Sequence, residues 1–152
     1  MQEKMKNASF DVLVVGGGIA GGEAALNLAN NGLKVLLVEK ELSIGGKMIL
    51  LSKVFPTLDC AACITTPKVS EISRHPGITI FTGSEVVSIV KKAENDFEAD
   101  VVKNPRYVNI DDCTACQLCE EACPVITSDQ YQFNLIGRKA AFIPFSIASP
   151  KA

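Results

Sequence analysis

Cys113, Cys116, Cys119 and Cys123 fall in the run CTACQLCEEACP, spaced by two, two and three residues and followed at once by Pro124. This is the C-x2-C-x2-C-x3-C-P pattern in which three close thiolates grip corners of one 4Fe–4S cube and the fourth cysteine ligates another cluster. Zinc sites usually pair C-x2–4-C knuckles rather than stringing three cysteines in successive steps. The chemistry implied is one-electron transfer. A second complete run of this kind is absent from the 152 residues.

Gly16-Gly17-Gly18-Ile19-Ala20-Gly21 fits G-x-G-x-x-G. Gly16 suits the tight turn, Gly18 lets the backbone approach a pyrophosphate, and Gly21 lets a helix pack on the preceding strand. The N–H groups of the helix start, with its dipole, then face the anion. Glu39 follows Gly21 by 18 positions and closes a second apolar run, where its carboxylate can accept hydrogen bonds from a ribose. The expected ligand is a dinucleotide.

Cys60 and Cys63, in CAAC, leave three uses open: cluster ligation or support, a redox-active dithiol, or an inert pair. His75 precedes a proline and reads as a helix-end or turn residue. Lys47 and Lys68 have the charge to neutralise a phosphate or a reduced flavin, and both also suit solvated surface positions.

These residues need a scaffold. Asp11–Val15 is an apolar, β-branched run leading through the glycines into a helical Gly22–Asn30 segment, and Lys34–Val38 reads as a second buried strand. Asn31-Gly32 ends the helix as a residue at positive φ would. The unit is βαβ with parallel strands. Phe55–Cys63 reads as loop, and Pro67 is expected to open a helix running to about Arg74. Strands are expected at Ile78–Phe81, Glu85–Val90 and Phe97–Lys103, the last two joined by a hairpin turn in AEND. The fold class is therefore α/β: a Rossmann-like unit over residues 1–104, then a partial ferredoxin-like iron–sulfur segment over 105–152.

Composition narrows the field. Hydrophobic residues make up 47% and charged residues 21%, which suits a globular chain. A net charge of −2 gives no basic stripe for nucleic acid or an anionic membrane. The start MQEKMKNASFDVLVV has no apolar signal-peptide region, and the apolar runs are too short to span a bilayer. The expectation is a cytoplasmic protein without direct membrane insertion. In such a reducing compartment, clustered cysteines point to metal or redox use rather than to disulfide scaffolding.

GGGIAGGEAALNLANNGLKVLLVEKELSIGGKM, FPTLDCAACITTPK, RHPGITIFTGSEV, KNPRYVNIDDCTACQLCEEACPV and GRKAAFIPF together resemble the A-type, iron–sulfur flavoprotein component of heterodisulfide reductase. CAACITTPK and RKAAFIPF are the blocks most specific to that family. The resemblance implies a thioredoxin-reductase-type FAD domain with a ferredoxin insertion, passing electrons between FAD and 4Fe–4S clusters within a larger complex. It implies that Gly16, Gly18, Ile19, Ala20, Gly21, Glu39, Lys40, Gly46 and Lys47 hold FAD, that the Val86 backbone lies near the adenine, and that Cys113, Cys116, Cys119 and Cys123 ligate clusters. Partners would be the other subunits of such a complex and its electron donor and acceptor proteins. The family's second cluster run and later Gly-Asp segment would come from another stretch of polypeptide. Two rival functions remain: a cluster-bearing assembly component without flavin, and a dithiol–disulfide oxidoreductase acting through Cys60 and Cys63.

Overall fold

The computed structural model describes residues 8–150. Strand β1 (Val12–Val15), helix α1 (Ile19–Asn30) and strand β2 (Val35–Val38) come first, followed by a 3-10 turn at Met48–Leu50. Two-residue strands β3 (Lys53–Val54) and β4 (Asp59–Cys60) lead into helix α2 (Ala61–Arg74) and strand β5 (Ile78–Phe81). Strands β6 (Ser84–Ala93) and β7 (Asp96–Lys103), helix α3 (Leu118–Ala122) and strands β8 (Ile126–Ser128) and β9 (Gly137–Lys139) complete the order.

β1, β2 and β5 form a parallel sheet in the order β1-β2-β5, with Val12 opposite Val35 and Val38 opposite Phe81. This is the 3-2-1 half of a Rossmann sheet. β2 lies in the middle, and its VLLV sequence is buried throughout, as expected for a parallel strand covered on both faces. α1 packs Ala25, Leu26 and Ala29 into the same core that receives Val69 and Ile72 from α2. Gly32, at φ +86°, donates its N–H to Ala29 O and ends α1 as the sequence predicts.

α2 departs from the sequence-based expectation. It opens at Ala61, almost two turns before Pro67, which lies inside the helix. The cause is a cap that proline statistics do not register: Cys60 Sγ accepts the N–H of Cys63 at 3.3 Å. Thr65 and Thr66 hydroxyls add bonds to the carbonyls of Ala61 and Ala62, at 2.8 and 2.6 Å. Pro67 removes only the N–H that would have met the carbonyl of exposed Cys63. The segment expected as loop also carries the small β3–β4 hairpin, with Lys53 opposite Cys60. His75 caps the far end of α2, and its Nδ1 accepts Gly77 N–H at 3.1 Å.

β6 and β7 form the expected antiparallel hairpin, turning at Asn95 with φ +62°. The chain then leaves for the cysteine run from a fixed point. Asn104 N–H donates to Gly83 O at 2.8 Å, and Arg106 Nη2 donates to Leu42 O at 2.6 Å and Thr82 Oγ1 at 2.5 Å. It returns beside the same loop: Ser149 N–H donates to Ser43 Oγ at 2.7 Å and Ile44 N–H to Ser149 O at 3.1 Å. Phe145 and Ile147 pack against the core there. No helix among the described residues is long and apolar enough to cross a membrane.

Candidate functional site

Gly16 N–H donates to Val38 O at 2.8 Å, which pins the start of the glycine turn to the end of β2. The first bond inside α1 runs from Gly22 N–H to Gly18 O. The N–H groups of Ile19, Ala20 and Gly21 therefore have no partner within the helix, and they form its positive end. A Cβ at Gly21 would fall onto the carbonyl oxygen of Gly16, so helix and turn meet at a distance only glycine permits.

A second loop closes on this turn. Gly45 N–H donates to Gly17 O at 2.8 Å, and a Cβ on Gly46, which sits at φ +60°, would stand 2.9 Å from the Gly18 Cα. Gly46 and Gly18 thus present bare backbone to each other. Gly17 and Gly45, absent from the sequence-based set, supply the link. Their signal was the repetition of glycine pairs, which does not specify a contact.

Glu39 is buried at the end of β2 and joins both loops. Its Oε2 accepts Gly17 N–H at 2.6 Å and its Oε1 accepts Glu41 N–H at 2.9 Å. A carboxylate has about four lone-pair positions, so acceptor capacity remains for a hydroxyl. Lys40 and Lys47 are exposed, and Val86 is half-buried on β6, just before a register shift. The Lys68 ammonium pairs instead with Glu23 at 2.7 Å, tying α2 to α1. A cavity of about 270 Å³ lies away from the turn, beside β5 and Arg106.

The cysteine run winds through two left-handed residues, Ala115 at φ +60° and Gln117 at φ +64°, before α3 begins. Cys119 lies on α3 and Cys123 caps its end. Backbone N–H groups favour the thiolate at two positions: Leu118 lowers the pKa of Cys116, and Ala141 followed by Val125 lowers that of Cys123. A thiolate is the form that binds iron, so donor type and local field suit a cluster. Among the described residues, no three histidine, cysteine or carboxylate side chains are gathered closely enough to hold a metal ion.

Cys60 and Cys63 stand apart from that run at the opening turn of α2. Their sulfurs are 2.6 Å apart and both residues are exposed.

A family model described as FAD dependent oxidoreductase matches residues 11–60, from β1 to Cys60. Methanopyrus kandleri has two similar iron–sulfur A-subunits of CoB--CoM heterodisulfide reductase. The one numbered 2 is 45% identical over 97% of this chain and 23% of its own length. The one numbered 1 is 47% identical over 91% of this chain and 21% of its own. The A-subunit of ferredoxin:CoB-CoM heterodisulfide reductase from Methanosarcina mazei is 43% identical over 95% and 18%. The chain belongs to the A-subunit family of heterodisulfide reductase. It spans only 18% to 23% of the length of these relatives.

Solved structures place this stretch of the family among flavoprotein folds. L-proline dehydrogenase from P. horikoshii superposes with a TM-score of 0.55 and 28% identity, over 62% of this chain and 19% of that one. Thioredoxin reductase from T. acidophilum gives 0.51 and 27%, over 62% and 32%. The Rossmann-like fold of the thioredoxin-reductase type, expected from the sequence, is the fold observed.

Proposed function

We propose that this chain is the flavin- and cluster-binding part of an electron-transfer subunit in a cytoplasmic, heterodisulfide-reductase-like complex. The observation that carries the reading is the union of three parts in one place: the unpartnered N–H groups of Ile19, Ala20 and Gly21, the bare Gly18–Gly46 contact, and buried Glu39. Bound there, FAD would accept electrons in pairs and release them singly to 4Fe–4S clusters.

In this reading the helix start faces the pyrophosphate, and Gly18 and Gly46 let it approach the backbone. Glu39 orients the ribose through the acceptor positions left free by Gly17 and Glu41. Lys40, Lys47 and the Val86 backbone flank the nucleotide. Cys113, Cys116 and Cys119 hold one cluster, and Cys123 reaches toward a second whose other ligands lie outside this run. The partners are the remaining subunits of the complex and its electron donor and acceptor proteins. No protein acid, base or nucleophile is assigned to this electron transfer.

Anaerobic purification with flavin, iron and sulfide quantified per chain tests the proposal. The expected result is FAD together with iron and sulfide. Iron and sulfide without FAD, after reconstitution with excess FAD, would leave a cluster carrier and overturn the flavin assignment.

A further inference from the structure

From the two sulfurs at the start of α2 we infer a second redox function: Cys60 and Cys63 form a reversible dithiol–disulfide pair that exchanges with small disulfides. The inference stands apart from the flavin and cluster assignments.

Cys60 is the N-cap of a 14-residue helix and Cys63 lies in its first turn, so the helix brings the two side chains to one surface point. The sulfurs are 2.6 Å apart, and neither residue is buried. The pair needs no backbone rearrangement to bring its sulfurs together.

The two thiols also differ. Cys63 donates to the Cys60 sulfur through both its side chain and its backbone N–H, and these bonds lower the pKa of Cys60. The same side-chain bond raises the pKa of Cys63. Cys60 therefore has the character of an attacking thiolate and Cys63 that of a resolving thiol. β4 and the buried side chain of Ala61 fix the cap from both sides.

The exchange balances without another reagent. The Cys60 thiolate attacks one sulfur of a disulfide RS–SR; a Cys60–SR bond forms and the other RS⁻ leaves. Cys63 then loses its proton and attacks the Cys60 sulfur, forming the Cys60–Cys63 bond and releasing the second RS⁻. Two electrons have passed from the pair to the disulfide, and the reverse sequence restores the dithiol.

The test equilibrates the anaerobically purified protein in glutathione buffers of stepped ratio, alkylates it, and digests it with trypsin. The peptide 54–68 carries Cys60 and Cys63 and no other cysteine, so the four-cysteine run does not interfere. The expected result is a two-electron transition from two labels to none, with the mass of an internal disulfide. Cys63→Ser should accumulate a glutathione adduct on Cys60, and Cys60→Ser should form none. Two labels at every ratio would overturn the proposal. So would no label at any ratio with iron or zinc per chain falling in both variants, since the pair would then be a metal ligand. Flavin and cluster content are read separately, so this inference can fail while the proposed function stands.

Discussion

Glu39 Oε2 accepts the N–H of Gly17 at 2.6 Å, a bond across 22 positions that ties the glycine turn to the end of β2. Glu39 Oε1 holds Glu41 at the start of the following loop. One buried carboxylate therefore orders both walls of the proposed nucleotide site while keeping acceptor capacity of its own. The Glu39→Gln variant puts an amide NH2 against one of these two backbone donors. The cost expected for an unsatisfied buried donor is about 1–3 kcal/mol, read as a drop in Tm of roughly 2–4 °C per kcal/mol. Flavin per chain should fall with it. Unchanged stability and unchanged flavin would show that Glu39 orders neither loop.

Glycine positions separate packing from conformation. Gly21→Ala sets a Cβ against Gly16 O, and Gly46→Ala sets one 2.9 Å from the Gly18 Cα, so both should abolish flavin retention. Gly32 is also at positive φ, but a Cβ there meets nothing within 4 Å. Gly32→Ala should cost about 1–2 kcal/mol of backbone strain and leave the flavin in place. Equal flavin loss in all three variants would mean that general destabilisation, not the site, is being read.

Much of this architecture was legible in the chain. β5 runs from Ile78 to Phe81, as its bounding His75-Pro76-Gly77 turn and β-branched run predict. β2 was legible because a strand buried on both faces is apolar throughout. The opening of α2 was not, because Pro67 is a strong local signal whereas a sulfur cap at Cys60 appears only once the side chain is placed. The two-residue strands β3 and β4 carry no period to detect. Two relationships lie beyond local pattern altogether: the docking of Ser149 on Ser43, and the pairing of Lys68 with Glu23. Both depend on where the chain returns after a long excursion.

The Lys68–Glu23 pair should contribute little at any pH, and that little only at intermediate pH, because it is lost toward both extremes. Its hydrogen bond and charge lower the pKa of Glu23 from 4.5, so its contribution is present above that value and is lost as pH falls through the lowered folded-state pKa. The same contacts raise the pKa of Lys68 from 10.5; that contribution is present below 10.5 and is lost as pH rises through the raised value. Both partners are exposed, so solvent and salt screen the pair. Thermal melts of wild type and Glu23→Gln should coincide near neutral pH in physiological salt. A clear separation at pH 7 would show that the pair secures α2 against α1.

Lys139 offers a test of the cluster assignment that does not depend on losing the cluster. Its ammonium donates to Cys123 O at 2.8 Å, and its charge adds to the backbone N–H groups that lower the pKa of Cys123. A positive charge beside a ligand favours the reduced, more negative cluster, so Lys139→Gln should leave iron content unchanged and move the potential to a more negative value. A one-electron potential changes by about 59 mV for each tenfold change in equilibrium. A surface charge contributing a few tenths to 1 kcal/mol then shifts it by roughly 10–40 mV, within reach of an EPR-monitored redox titration. Cys123→Ser should instead lower iron per chain. If Lys139→Gln moves no potential while Cys123→Ser removes iron, Cys123 is a ligand whose field is set by the backbone alone. If neither variant has an effect, Cys123 lies outside the cluster.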